Sequence, residues 1–290
     1  MPTSYAKHLV TSKDGTSIGY RHIGHGPGLL LLHGGMKSSQ DLLKLGESLS
    51  ETFTVSLPDR RGRGLSGPAG DRFSVQREVE DVQAIVADTG ARNIFGLSSG
   101  ALVALKAAAT TPAIQKAALY EPPFSVQRSV PTSWVPQYSR ELATGRLAAA
   151  AVTAMKGIGV EPIFNKLPRI VAIPFLALIM KMQGDSSEDH VTIRSLVPTQ
   201  RFDMHIVEEM SDTLEDYRSL SIPVLLLGGD KSPAFLNHAL DRMAATLPHI
   251  QRKTFQGLGH DGPENDGRPD LIGRELRRFF DGSPLPQSAE

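Results

Sequence analysis

The sequence predicts an α/β fold, a mostly parallel sheet flanked by helices, with a helical lid inserted at one edge. Three observations predict it. Short apolar runs alternate with longer amphipathic segments over residues 1–123 and again over 221–282. The rhythm breaks between them, where residues 124–220 hold helix-like pieces and no convincing strand. Runs such as Leu29–Leu32 lack the in-out alternation of a half-exposed strand, so they read as strands buried on both faces.

Taken in order, Lys7–Ser12 and Ser17–Ile23 flank Asp14-Gly15, a strong hairpin turn signal. Leu29–Leu32 is the next strand. Ser38 and Ser39 then cap a helix carrying Leu42, Leu45 and Leu49 on one side. Phe53–Leu57 follows as a strand, and from Ser74 the valines 75, 79, 82 and 86 recur at helical spacing. Asn93–Leu97 is a strand running straight into an alanine-rich helix, Ser99 to Thr110. Lys116–Tyr120 is another strand, closed by Glu121-Pro122-Pro123 because proline cannot donate to a ladder. The central stretch contributes helices such as Ser139–Met155 and Ile170–Met182. Alternation resumes with a strand at Pro223–Leu227, a helix over Ala234–Leu247, a strand near Arg252–Phe255 and a helix over Asp270–Phe280. The division that follows is a core of 1–123 and 221–282, a lid of 124–220, and a polar, flexible tail at 283–290.

Composition narrows the function. Lysine plus arginine and aspartate plus glutamate number 31 each, so no net field favours nucleic acid or an anionic membrane. The absence of cysteine removes disulfides, thiol catalysis and zinc–thiolate sites. The most apolar stretch, Ile170–Met182, is interrupted by Pro174 and is too short to span a bilayer, which needs about 20 apolar residues. Met1–Gly15 has no apolar core of a signal peptide. A cytoplasmic enzyme, monomer or homodimer, is the expectation, with a small molecule as its partner.

Gly96-Leu97-Ser98-Ser99-Gly100 matches G-x-S-x-G, a weak signal alone. Its position strengthens it, because the motif sits where a strand ends and a helix begins, the context in which a serine is lifted clear of a sheet. Ser98 needs a base, since an unassisted hydroxyl is a poor nucleophile at neutral pH. Of nine histidines, His260 follows the last strand in a glycine-rich loop, Gly257-Leu258-Gly259-His260-Asp261-Gly262. His8, His22, His25, His190, His205, His238 and His249 lack such a setting and read as surface residues. After the four-leucine strand, His33-Gly34-Gly35 offers backbone N–H groups. Gly35, with Met36 as the fallback, and Ser99 are the candidate oxyanion donors. His33 itself reads as structural.

Together these motifs, with Asp59-Arg60-Arg61-Gly62-Arg63-Gly64-x-Ser66, resemble the α/β-hydrolase superfamily. Ser98-Ser99-Gly100 and Tyr120-Glu121-Pro122-Pro123 further resemble a largely uncharacterised lid-bearing subgroup. The resemblance implies that the arginine-rich segment shapes a loop beside the active site. Arg60, Arg61 and Arg63 are then structural or surface charges, with a phosphate or carboxylate site as the alternative. It also implies an acid that orients His260. The usual location follows Pro223–Leu227 in a Gly-x-x-Asp pattern, but here Gly229 is followed three residues later by Ser232. Asp230 comes two residues early and stands beside Lys231. The other location is the end of the strand before the lid, where Glu121 stands between an apolar strand and two prolines. A buried carboxylate there needs a partner such as an imidazole N–H. Glu121 is the first choice and Asp230 the alternative.

The expected function is a serine hydrolase cleaving a small, hydrophobic ester or lactone through an acyl-enzyme, with no metal or organic cofactor implied. Trp134, Phe164, Phe175, Met180 and Met182 roof an apolar pocket or, equally, form the lid's own core. Two alternatives stand beside hydrolysis: cofactor-free lyase, cyclase or transferase chemistry with the same Ser/His pair, and a ligand receptor with little turnover. Haloalkane and epoxide hydrolysis are disfavoured, because those relatives carry aspartate where this chain has Ser98.

Overall fold

The computed structural model describes residues 5–160, 162–188 and 190–282; the tail at 283–290 lies outside them. Ala6–Thr11 (β1) and Ser17–Gly24 (β2) form the hairpin that Asp14-Gly15 announces. The Asp14 carboxylate accepts the Thr16 N–H at 3.0 Å, and Gly15 takes the left-handed φ of 88° that closes the turn. The other strands are Gly28–Leu32 (β3), Thr54–Pro58 (β4), Asn93–Leu97 (β5), Lys116–Tyr120 (β6), Val224–Gly229 (β7) and Ile250–Phe255 (β8). They make one eight-stranded sheet in the order β1-β2-β4-β3-β5-β6-β7-β8. β2 runs antiparallel to both neighbours, and every pairing from β4 to β8 is parallel.

The period of two along each strand sorts the leucines between two cores. Leu30, Leu32, Ile94, Leu119 and Leu226 face one layer, built by helices Val75–Thr89 and Ser99–Thr110 and by Ala234–Thr246 further on. Leu29, Leu31, Phe95, Leu225 and Leu227 face the other, built by Leu43–Leu49 and Pro269–Asp281. In chain order the first three helices are α1 (Leu43–Leu49), α2 (Val75–Thr89) and α3 (Ser99–Thr110). The Ser38 hydroxyl and the Asp41 carboxylate close a reciprocal capping box. It starts a short 3-10 turn, Ser39–Leu42, that leads into α1. Ser74 caps α2.

Between β6 and β7 come α4 (Val135–Ala143), α5 (Leu147–Ile158), α6 (Pro162–Lys166), α7 (Arg169–Met182), α8 (Ile193–Leu196) and α9 (Gln200–Glu209). The single helix expected over Ser139–Met155 is two. The Thr144-Gly145-Arg146 turn separates them, with Gly145 at φ 70°. Trp134, Tyr138, Leu176 and Met180 pack with the alanines of α5 into a core belonging to this segment. α7 leaves Ile170, Val171, Phe175, Leu178 and Met182 exposed on its outer face. Ala234–Thr246 (α10) and Pro269–Asp281 (α11) complete the set. Among the described residues no helix is long and apolar enough to cross a membrane.

Candidate active site

β5 ends at Leu97 and α3 begins at Ser99, so Ser98 occupies the bend between them with φ 56° and ψ −124°. A side chain held there costs about 1–3 kcal/mol and persists only where its surroundings impose it. The Ser98 N–H donates to the Tyr120 carbonyl at 2.9 Å, tying the bend to β6. Glycine flanks the bend because backbone fills the space a Cβ needs. At Gly96 a Cβ would meet the Gly100 carbonyl oxygen, and at Gly100 it would meet that of His33, with the Leu32 oxygen 2.8 Å away. Backbone cannot yield as a side-chain tip does. Gly100→Ala is therefore expected to cost on the order of 3 kcal/mol and to lower the calorimetric melting temperature by several degrees. A melting temperature equal to wild type would contradict this packing.

Glu121 ends β6 in a second left-handed conformation, φ 46°, and is wholly buried. One carboxylate oxygen accepts the Gly229 N–H at 2.6 Å, and the other lies 2.7 Å from His260 Nδ1. The loop carrying His260 is held by the Tyr120 hydroxyl, which donates to the Gly259 carbonyl at 2.7 Å. With its Nδ1 proton donated to Glu121, the imidazole presents Nε2 as its lone-pair nitrogen. Asp230 sits elsewhere in its hydrogen bonding. It accepts the Gly257 N–H at 2.7 Å and lies 3.9 Å from Lys231, bracing the turn after β8. The structure thus brings Glu121, and not Asp230, to His260. Six of the remaining histidines expected at the surface are exposed, and His22 is half-buried against Ser56.

His33 is buried, accepting the Arg60 N–H on Nε2 and donating from Nδ1 to the Gly34 carbonyl. Burial, with Arg63 and Arg60 close by, holds its pKa well below the ordinary histidine value, so the ring is neutral. It fixes the loop Gly34-Gly35-Met36 beside Ser98. A cavity of about 470 Å³ opens against this loop, and Gly35, Met36, Ser98, Ser99 and His260 all line it. Among the described residues, the N–H groups of Gly35, Met36 and Ser99 donate to no protein acceptor. Its apolar lining includes Val130, Met155, Ile158, Leu196, Val207 and Phe235. Its charged lining includes Lys37, Asp41, Asp261, Glu264 and Asp266. There the Lys37 ammonium lies 2.5 Å from the Glu264 carboxylate and 3.9 Å from that of Asp41. None of Trp134, Phe164, Phe175, Met180 and Met182 lines the cavity; Trp134 and Met180 are core, and Phe175 and Met182 are exposed.

Of the two roles expected for the arginine segment, structural and surface, the structure shows the structural one, because all three guanidiniums are buried. Arg60 forks onto Glu78 at 2.6 and 2.9 Å, and its third nitrogen reaches Ser99 Oγ and Asp203, both at 2.9 Å. Arg61 grips Asp81 at 2.7 and 2.6 Å. Arg63 reaches Asp203 at 2.6 Å and Thr199 at 3.1 Å. Buried charges persist only when paired, and each guanidinium here has its carboxylate. Burial opposes ionisation of Asp203, but Arg63 and Arg60 outweigh it and hold its pKa below the ordinary aspartate value. Asp203 and Gln200 of α9, both cavity-lining, carried no motif in the sequence. The signal available was indirect: three arginines within four positions of an apolar strand demand buried acids somewhere in the chain.

Among the described residues, no group of three or more histidines or carboxylates is placed to hold a metal ion. A serine in a strained bend, an imidazole and a buried carboxylate, beside unpaired N–H groups, form a constellation suited to acyl transfer.

The family model for the alpha/beta hydrolase fold matches residues 27–266. A pimeloyl-[acyl-carrier protein] methyl ester esterase from Xanthomonas campestris is 26% identical over 264 residues, 90% of this chain and 98% of that protein. The crystal structure of an alpha/beta hydrolase from Sphaerobacter thermophilus is 32% identical with a TM-score of 0.74, covering 94% of this chain and all of that one. The esterase RhEst1 from a Rhodococcus species is 25% identical with a TM-score of 0.69, covering 95% of this chain and 98% of that one.

Proposed function

This chain belongs to the α/β-hydrolase family, and we propose that it hydrolyses small, uncharged carboxylic esters or lactones through an acyl-enzyme on Ser98. The observation that carries this reading is that Ser98, raised on its bend, lines the same cavity as His260, whose far nitrogen is held by buried Glu121. The Xanthomonas relative is a methyl ester esterase and the Rhodococcus one an esterase, which supports the reaction class.

In the first step His260 Nε2 takes the Ser98 proton as Oγ attacks the carbonyl carbon. The carbonyl oxygen becomes an oxyanion against the N–H groups of Gly35 and Ser99, where the amino-terminal end of α3 adds its partial positive charge. The imidazolium, stabilised by Glu121, then protonates the leaving alkoxide. Water enters, gives its proton to His260 and attacks the acyl carbon, releasing the acid and restoring Ser98. The segment 124–220 acts in this reading as the cover of the site, supplying Met155, Ile158, Leu196 and Val207 to its apolar wall.

Charge in the cavity lining sets the substrate class in this reading. Asp41, Asp261, Glu264 and Asp266 are among the residues lining the cavity, with Lys37 as the one lysine among them. A substrate carboxylate about 5 Å from an uncompensated carboxylate is disfavoured by roughly 3 kcal/mol at an effective dielectric near 20. Steady-state hydrolysis of a dicarboxylic acid dimethyl ester and its monomethyl ester tests both parts of the proposal. The diester is expected to turn over with kcat/KM at least about tenfold above the monoester. Equal or reversed preference would overturn the charge argument, and no hydrolysis of either, nor of short-chain p-nitrophenyl esters, would overturn the ester hydrolase reading.

A further inference from the structure

We propose that Asp203, reaching in from α9, is a positioning residue that fixes the oxyanion-binding backbone through the side chain of Ser99. The inference rests on the Ser98 hydrolase reading above and extends it to a residue outside the Ser98–His260–Glu121 set.

The geometry is local and closed. The Ser99 hydroxyl donates to Asp203 Oδ1 at 2.8 Å and accepts from Arg60 Nη1 at 2.9 Å, so its rotamer is fixed from both sides. The same Arg60 nitrogen also bonds Asp203 Oδ1 at 2.9 Å, closing a triangle of serine, guanidinium and carboxylate. All three side chains are buried, and Arg63 holds the other Asp203 oxygen at 2.6 Å. Ser99 is the first residue of α3, and its backbone N–H is one of the two donors assigned to the oxyanion. The loop of the second donor packs closely against the same group. A Cβ on Gly35 would stand 3.1 Å from the Asp203 carboxylate and 2.9 Å from Gln200 Oε1, so the α9 side chains press on the loop that carries the Gly35 N–H. One carboxylate therefore touches the supports of both donors.

Its charge is also managed. A carboxylate this near an oxyanion would oppose its formation, but Arg60 and Arg63 neutralise it, and Glu78, paired with Arg60, balances the remaining positive charge. What remains is rigidity: donors held where the oxyanion forms need no reorganisation during reaction.

The test compares wild type with Ser99→Ala and Asp203→Asn on a hydrolysed ester. It also measures inhibition by an alkyl trifluoromethyl ketone, which forms a tetrahedral adduct, and by the matching methyl ketone, which mimics the ground state. Ser99→Ala keeps the backbone N–H and leaves Asp203 both guanidiniums, so it reads out positioning even if Asp203→Asn folds poorly. For both variants kcat is expected to fall about tenfold to a hundredfold, the scale of a small misplacement, with KM within about twofold. Trifluoromethyl ketone affinity should fall in parallel while methyl ketone affinity stays unchanged. Wild-type kcat in Ser99→Ala, or equal loss of affinity for both ketones, would overturn the proposal while leaving the hydrolase reading intact. A wild type that neither turns over esters nor binds the trifluoromethyl ketone would overturn both.

Discussion

Ser98→Ala is expected to lower kcat/KM by about five powers of ten while leaving the fold unchanged. The first half follows from chemistry: Ser98 supplies the nucleophile in the proposed mechanism, and the oxyanion donors alone give only residual catalysis. The second follows from structure. The Ser98 side chain makes no capping hydrogen bond to α3 and is only half-buried, so removing Oγ leaves no orphaned partner. Alanine inherits the same backbone strain at φ 56° and relieves none of it. Circular dichroism and melting temperature should match wild type while ester turnover disappears. Retained turnover in a folded Ser98→Ala variant would remove Ser98 from the mechanism.

The second large effect is expected at Glu121. Glu121→Gln should reduce kcat by about 10³–10⁴-fold, whereas Asp230→Asn should leave it within a few-fold of wild type. The glutamine oxygen can keep the Gly229 N–H, now at 2.6 Å from the carboxylate. Its NH₂ group then faces His260 Nδ1, and two donors cannot share that contact. The imidazole answers by moving its proton to Nε2, the nitrogen that must accept from Ser98, and the imidazolium formed in reaction loses its counter-charge. Asp230 has no comparable part, since it serves the Gly257 N–H in the turn before the histidine loop. Rate measurements on the two variants discriminate directly: a severe loss in Asp230→Asn with mild loss in Glu121→Gln would exchange their roles.

How far the sequence foretold the molecule depends on how local the controlling physics is. Strands such as Asn93–Leu97 and Lys116–Tyr120 match their expected bounds because apolar runs closed by a motif or by prolines leave little freedom. The break inside Ser139–Met155 was less legible. Its turn, Thr144-Gly145-Arg146, lies within a continuous helical periodicity that only tertiary packing interrupts. Ser98 and His260 were legible because glycines mark the places where backbone must pass closely. Glu121 was already preferred to Asp230 for its place between an apolar strand and two prolines, but the contact itself, joining residues 139 positions apart, comes only from the fold. The arginines at 60, 61 and 63 show the same limit. Charge alone leaves a structural and a surface role open, and their burial becomes intelligible only when Glu78 and Asp81 arrive on α2 and Asp203 on α9.

Intact-protein mass after incubation with a small fluorophosphonate tests the central claim most directly, because it reports a bond to the nucleophile without requiring the natural substrate. The wild type should gain the mass of one phosphonyl group, mapped to Ser98 by peptide fragmentation, and Ser98→Ala should gain none. An adduct that persists in Ser98→Ala, or a folded wild type that never forms one, would contradict the account.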